Sequence, residues 1–559
     1  MATSLHDLML ACGVVNHPAW FEQIPLPFWP MPHQMDMIHK YPRNMRYGDF
    51  SDPGAGKTYP AQVHAITMAA MGNKVVFVTN PALIPQFMNE FETFFPGVGK
   101  HLKIEDIACS ADQKKKRETR WEIEGWPDIL VMSYGIYRLY NDKNNKKKIG
   151  NNLWKIRNKN KADTPEEYAI GYWKEDGTAR YPGANAYTAD GRRIDRKGYA
   201  SNSKRMMLKE RGYNVLFFDE GDALCGLDSI LSESVSEMST QMKDDMAIYV
   251  MTGTPIPTKL HNAYGLIRLI NPGAYMNKAA FIRQHCIEKE FKMPLANGKV
   301  ANIKTITDYI NTDGVFDALW KNAHRVQKRD VLTIPEPIIS EVPVKLAGAH
   351  LKLYRQIIND HFAMLGDQVL APDNQSALRH LALQIISSPG EFDPVLESSN
   401  ELAKATGQLV DSINPGPKRK LIIFAYYQKA IESLAKQFAD RKVAVVYGGS
   451  KDRQGELDKF LYDDECSVIV IQWVSGGAGL NLQVAGYIIF YETPTSPKAA
   501  KQAIARADRK GQVNIVNVYF MRVLKTLADK NFKALLINEE SNNRAIKDKH
   551  DLLFELLAA

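Results

Sequence analysis

The chain has 559 residues, 45% of them apolar and 24% charged, and a formal net charge of +8. That is more chain than one domain holds and ample material for several cores, which excludes a disordered or fibrous protein. No apolar run approaches the roughly 20 residues a membrane span needs, and the first lysine or arginine is Lys40, so neither a span nor a secretory leader is expected. Cys12, Cys109, Cys225, Cys286 and Cys466 are too scattered for a zinc site or a disulfide framework, and a cytoplasmic location is expected.

In chain order, the first chemical signal is Asp52-Pro-Gly-Ala-Gly-Lys-Thr58. Glycines at 54 and 56, on either side of Ala55, let backbone N–H groups close on a phosphate that a Cβ would hold off. Lys57 can then reach the β- and γ-phosphates of ATP, and the Thr58 hydroxyl can ligate Mg2+. The strict pattern has glycine six residues before the lysine, where this chain has Ser51, a departure that narrows the class without breaking the loop. Apolar runs at 74–80 (KVVFVTN), 128–134 (DILVMSY), 215–220 (VLFFDE) and 247–253 (AIYVMTG) predict buried parallel strands. The third delivers Asp219 and Glu220 to the carboxyl end of its strand, where α/β sheets hold ligands. Asp219 is expected to hold Mg2+ there, and Glu220 to orient and deprotonate the attacking water.

Residues 138–212 interrupt this alternation with 19 basic and 9 acidic residues, a local +10. A basic excess packed into one segment points to a polyanionic partner. Asp176-Gly177 and Asp190-Gly191 suit hairpins, and Tyr140, Trp154, Tyr172 and Trp173 are among its many rings. Two readings stay open: a duplex clamp or strand-separating hairpin, or a surface loop that packs on itself.

From about 340 to 417 the period becomes helical, at Leu351, Tyr354, Ile357, Ile358 and Phe362, then Leu378, Leu381, Leu383 and Ile385. Strand-like runs resume at 420–425, 443–447, 467–472, 486–492 and 515–521. The expected fold is α/β: a first lobe at 1–330 with the insertion, a helical bridge at 331–417, and a second lobe at 418–559. Gln502, Arg506 and Arg509 stand at i, i+4 and i+7 and are predicted to share one helix face. Guanidinium groups are what a transferring phosphoryl group needs around its oxygens.

These pieces, from about residue 32 to about 536, resemble in order the Swi/Snf type of superfamily-two helicase-like ATPase, a DNA translocase of two RecA-like P-loop lobes. Gln34 in MPHQMDMI is similar to that family's adenine-reading glutamine, and VVFVTNPALIPQFMNEF at 75–91 to the stretch ending in Q-W-x-x-E-F. Thr252-Gly-Thr-Pro255 resembles its coupling motif, and Gly476-Gly-Ala-Gly-Leu-Asn-Leu482 its GGxGxNL. Residues 493–512 resemble DPWWNPxxxxQAxxRxxRxGQ, which implies that Arg506 and Arg509 cross the cleft to ATP.

The resemblance further implies that Gln502 and Gly479 serve the nucleotide, and that Thr252, Gly253, Thr254 and Asp222 couple it to movement. It implies strand contacts from Pro81, Ser133 and Tyr134 on the first lobe, and from Gly449, Gly476 and Gly477 on the second. Three departures stand out: Asp222 and Asp508 each replace a family histidine, and Thr493-Pro-Thr-Ser496 replaces the paired tryptophans. The expected partner is duplex or branched DNA gripped through phosphates, with no membrane and a monomeric chain. A strand-unwinding DNA or RNA helicase and a non-hydrolysing DNA scaffold are the alternatives.

Overall fold

The computed structural model describes residues 4–546 except 16, 243–244, 258, 295–299, 332–333, 361–362, 366–367, 371–374, 451, 474–480, 495, 510 and, within 142–206, all but six short strands. Two parallel sheets carry the chemistry. The first runs, edge to edge, Ala323–His324, Arg46–Asp49, Ala247–Met251, Tyr213–Asp219, Lys74–Thr79, Ile129–Ser133 and Ile104–Asp106. Every pairing in it is parallel.

Alternation along each strand feeds two cores. Val75, Phe77, Val215, Phe217 and Tyr249 face one, and Val76, Val78, Leu216, Phe218 and Ile248 face the other. Burial on both faces is why these strands read as unbroken apolar runs, each fully buried Val, Leu, Ile or Phe contributing about 1.5–3 kcal/mol. Arg46–Asp49 and Ala323–His324 carry no such run and were not legible as strands.

The second sheet runs Ile338–Val344, Asn517–Val523, Ala485–Phe490, Lys420–Ala425, Val468–Gln472 and Ala444–Val446, again all parallel. Ile338–Val344 lies within the stretch expected as bridge. It holds Pro343, which the sheet tolerates because the strand is at an edge. The helices Gly348–Asp360, Gln375–Ser387 and Glu401–Ile413 also fall in that stretch. Leu353, Ile357, Ile385 and Val410 share one core with Leu421, Ile423, Val468 and Ile489, so these helices form a layer of the second lobe.

The described strands of the insertion form a six-stranded antiparallel sheet of their own. Ala186–Tyr187 pairs antiparallel with Arg193–Ile194, while Asp190-Gly191, where a hairpin turn is expected, lies outside the described residues. Asp176-Gly177 and the insertion's rings lie outside the described residues and side chains. Among the described residues no helix is long and apolar enough to cross a membrane.

Candidate active site

The phosphate loop joins Arg46–Asp49 to the helix Thr58–Ala70, at the carboxyl end of the first sheet. Gly54 and Gly56 both have positive φ, +85° and +83°. Gly56 is constrained twice, since a Cβ there would come within 2.5 Å of Gln34 Nε2. Gln34 donates from Nε2 to Gly56 O at 3.0 Å, and its Oε1 accepts from Met31 N at 2.9 Å. The glutamine expected at adenine thus also braces the loop. His33 Nε2 lies 2.8 Å from Ala55 O, a second tie from the same helix, Pro32–Lys40. Lys57 Nζ donates to Ser51 O at 2.7 Å and Asp52 O at 3.0 Å, so the lysine lies along the loop it serves.

Asp219 ends its strand as the sequence predicts. Thr79 Oγ1 donates to Asp219 Oδ2 at 2.9 Å, which fixes the carboxylate's orientation. Burial, with the adjacent Glu220, pushes the Asp219 pKa up to about 6. Glu220 adopts left-handed backbone, φ 53° and ψ 46°, uncommon for a residue with a side chain and found at sites where geometry is over-determined by the surroundings. Thr252 N donates to Asp49 O at 3.0 Å, and Thr254 N to Thr252 Oγ1 at 3.1 Å. A Cβ on Gly253 would meet Pro53 Cδ at 2.7 Å, so the loop expected to couple the nucleotide to movement touches the phosphate loop directly.

The second lobe reaches this site through the helix Pro497–Ile504. Gln502 Nε2 donates to Glu220 Oε2 at 2.8 Å, and Lys498 Nζ lies 3.0 Å from the same oxygen. Lys498 also pairs with Asp222, whose pKa burial raises against the pull of that lysine.

Gln502, Arg506 and Arg509 do not share one helix face as predicted. The helix ends at Ile504, before Arg506 and Arg509. Carbonyls of the next residues leave the helical ladder: Arg506 O accepts from Leu482 N at 3.0 Å, and Ala507 O from Gln512 Nε2 at 3.1 Å. All three residues nonetheless line one cavity of about 510 Å³ together with Gly56, Lys57, Thr58 and Asp219. Burial lowers the Arg506 pKa to about 10, with Arg453 adding to the effect, and lowers that of Arg509 against the pull of Glu90.

A second interlobe tie was not legible. Lys328 N donates to Asp52 Oδ2 at 3.0 Å, and Lys328 Nζ binds the carboxylate of Asp508 across the seam. Arg325 holds the same Asp52 at 2.7 Å. Lys498, spaced i−4 from Gln502, carried a usable signal; Lys328 and Arg325 stand in no periodic pattern. The cavity also has an aromatic wall, with Phe28, Trp29, Tyr59 and Phe94, that sequence reasoning missed.

Of the residues expected at a nucleic-acid strand, Pro81 and Gly449 are exposed, and Ser133 is buried, its Oγ accepting from Ile136 N at 3.3 Å. Tyr134 turns inward, donating its hydroxyl to Asp219 O at 2.8 Å. Gly476, Gly477 and Gly479 lie outside the described residues.

The family described as SNF2-related domain matches residues 50–388, and the helicase conserved C-terminal domain matches residues 404–511. The TATA-binding protein-associated factor MOT1 of Saccharomyces cerevisiae is 22% identical over 415 residues, 62% of this chain and 22% of that protein. An ATP-dependent helicase of Mycoplasma genitalium, itself uncharacterized, is 22% identical over 386 residues, 64% of this chain and 34% of that protein. The nuclear protein STH1/NPS1 of Saccharomyces cerevisiae is 24% identical over 349 residues, 58% of this chain and 25% of that protein. The chain thus spans between about a fifth and a third of the length of these curated relatives. Among solved structures, the Sulfolobus solfataricus SWI2/SNF2 ATPase core in complex with dsDNA is 16% identical, covers 94% of each chain and has a TM-score of 0.36.

Proposed function

Since the chain belongs to the SNF2-related domain family, we propose that it hydrolyses ATP between its two lobes to move along or remodel duplex or branched DNA. The observation that carries this reading is the shared cavity, with Lys57, Thr58 and Asp219 from one lobe and Gln502, Arg506 and Arg509 from the other. In this reading the adenine rests on the wall of Phe28, Trp29 and Phe94, and the glycine turn cradles the phosphates. Lys57 leaves the loop carbonyls for the γ-phosphate, and Arg506 and Arg509 stabilise charge on the transferring group. Glu220 deprotonates the attacking water once Gln502 and Lys498 release it.

Mg2+ fits the donor set, since a hydroxyl and an oriented carboxylate are the hard oxygen donors that it takes. Thr58 and Asp219 would hold it, and it would neutralise charge on the β- and γ-phosphates.

The test is ATP turnover measured alone, with duplex DNA, with single strands and with RNA. Duplex DNA should raise turnover most. Lys57→Ala should abolish turnover by removing phosphate charge, whereas Glu220→Gln should leave ATP bound and uncleaved. Arg509→Ala should slow turnover at unchanged nucleotide affinity, and wild-type turnover in that variant would remove the cross-cleft assignment. Absence of turnover with every nucleic acid would favour the scaffold.

A further inference from the structure

A second cavity, of about 470 Å³, opens on the second lobe and shares no lining residue with the candidate active site. Four cationic side chains line it, Lys345, Arg355, Lys525 and Lys530, and no carboxylate does. All four are exposed, and none has an ion pair among the described residues. The closest acid in sequence, Asp529, is already held by Arg522 and Lys533 and accepts from Lys525 N. Half-buried Leu351, Ile358 and Leu527 form an apolar floor. Lys525 itself has φ +59°, left-handed backbone that a lysine adopts at a cost.

The position of the groove matters as much as its charge. Ile338–Val344 and Asn517–Val523 are parallel neighbours at one edge of the sheet, and the groove begins directly after both, with Lys345 and Leu524. The loop of Gly449 follows Ala444–Val446 at the opposite edge, on the same carboxyl end. Five strand spacings of about 4.8 Å put the two edges about 24 Å apart. That is roughly seven rises of 3.4 Å along a duplex, so one short length of DNA reaches both.

Resting on the DNA-motor reading above, we propose that this groove is a second seat for the phosphate backbone of duplex DNA. Its cations would hold the duplex as the Gly449 loop takes a strand at the other edge. Lys345, Lys525 and Lys530 meet phosphate oxygens as point charges on flexible stems, with Arg355 and Asn359 exposed beside them, so charge supplies the grip.

The experiment measures duplex binding against salt for the wild type and for a variant combining Lys345→Gln, Arg355→Gln, Lys525→Gly and Lys530→Gln. Glycine suits the left-handed position, so that change removes charge without adding strain. For every phosphate no longer neutralised, the log–log salt slope should flatten by about 0.9 and binding should weaken about fivefold at 0.15 M salt. DNA-independent ATP turnover should stay at the wild-type rate. The set Lys345→Arg, Lys525→Arg and Lys530→Arg should bind as the wild type does.

An unchanged slope in the neutral variant overturns the proposal, as does loss of binding in the arginine set. Loss of poly-glutamate binding with duplex binding intact would instead assign the groove to an acidic protein partner, and also overturns it. Wild-type protein that binds no duplex at all overturns the motor reading with it, whereas the neutral variant's result bears on the groove alone.

Discussion

Asp219 holds its proton to about pH 6 in the folded chain, against an ordinary carboxyl value of 3.8. The folded state therefore binds more protons than the unfolded state between those values, and this residue makes stability fall as pH rises through that window. Asp219→Asn should raise the thermal midpoint of the ligand-free protein at pH 7 while abolishing turnover. ATP affinity in the presence of Mg2+ should weaken as pH drops below about 6, because the metal needs the ionised carboxylate, and a flat titration would remove Asp219 from that role. Gly56→Ala should fail twice, through its φ of +83° and through the approach of Gln34, with lost stability and lost nucleotide affinity read by melting with and without ATP. The residues of the phosphate loop and Asp219-Glu220 were legible because short motifs carry their own geometry. The turn of Tyr134 toward Asp219 O was not, since a pattern of types does not state where a side chain points.

The helix Pro497–Ile504 is a one-sided tool, with Lys498 and Gln502 both directed at the first lobe. Side chains of Lys498 and Asp222 are only 19% and 16% exposed, so removing one partner leaves a largely buried charge uncompensated. Lys498→Ala should lower the unfolding free energy, by about 3–5 kcal/mol at the upper end for a broken buried pair. The exchange Lys498→Asp with Asp222→Lys should recover part of that loss, and a double-mutant cycle measures how much. No recovery would mean the pairing contributes only packing. Apolar runs made nine of the thirteen strands in the two main sheets legible. Arg46–Asp49, Ile104–Asp106, Ala323–His324 and Ile338–Val344 were hidden by brevity or polar residues. The bridge helices were legible as helices, but a helical period does not say which sheet a helix covers.

At the scale of the molecule, two aspartates stand where the resembling family has histidines, and each meets a lysine from across the seam: Asp222 with Lys498, Asp508 with Lys328. The lobe that offers the acid in one pair offers the base in the other. Pairs this enclosed are screened by salt far less than an exposed grip on phosphates. Raising salt should thus abolish DNA stimulation of turnover well before it changes the affinity for ATP. Parallel loss of both would mean that the seam, too, is held by solvent-exposed charge. The resemblance along the chain conveyed the two-lobed plan and the cavity between the lobes; of the two lysines that meet the aspartates, Lys498 had a helical spacing to betray it, whereas Lys328 required coordinates.

Lys328 lies on the one passage of backbone from the last strand of the first sheet to the first strand of the second. Its amide is pinned to Asp52 and its ammonium to Asp508. One side chain thus bridges the phosphate-binding turn and the arginine-bearing segment, alongside the ties that Lys498 and Gln502 make to Glu220.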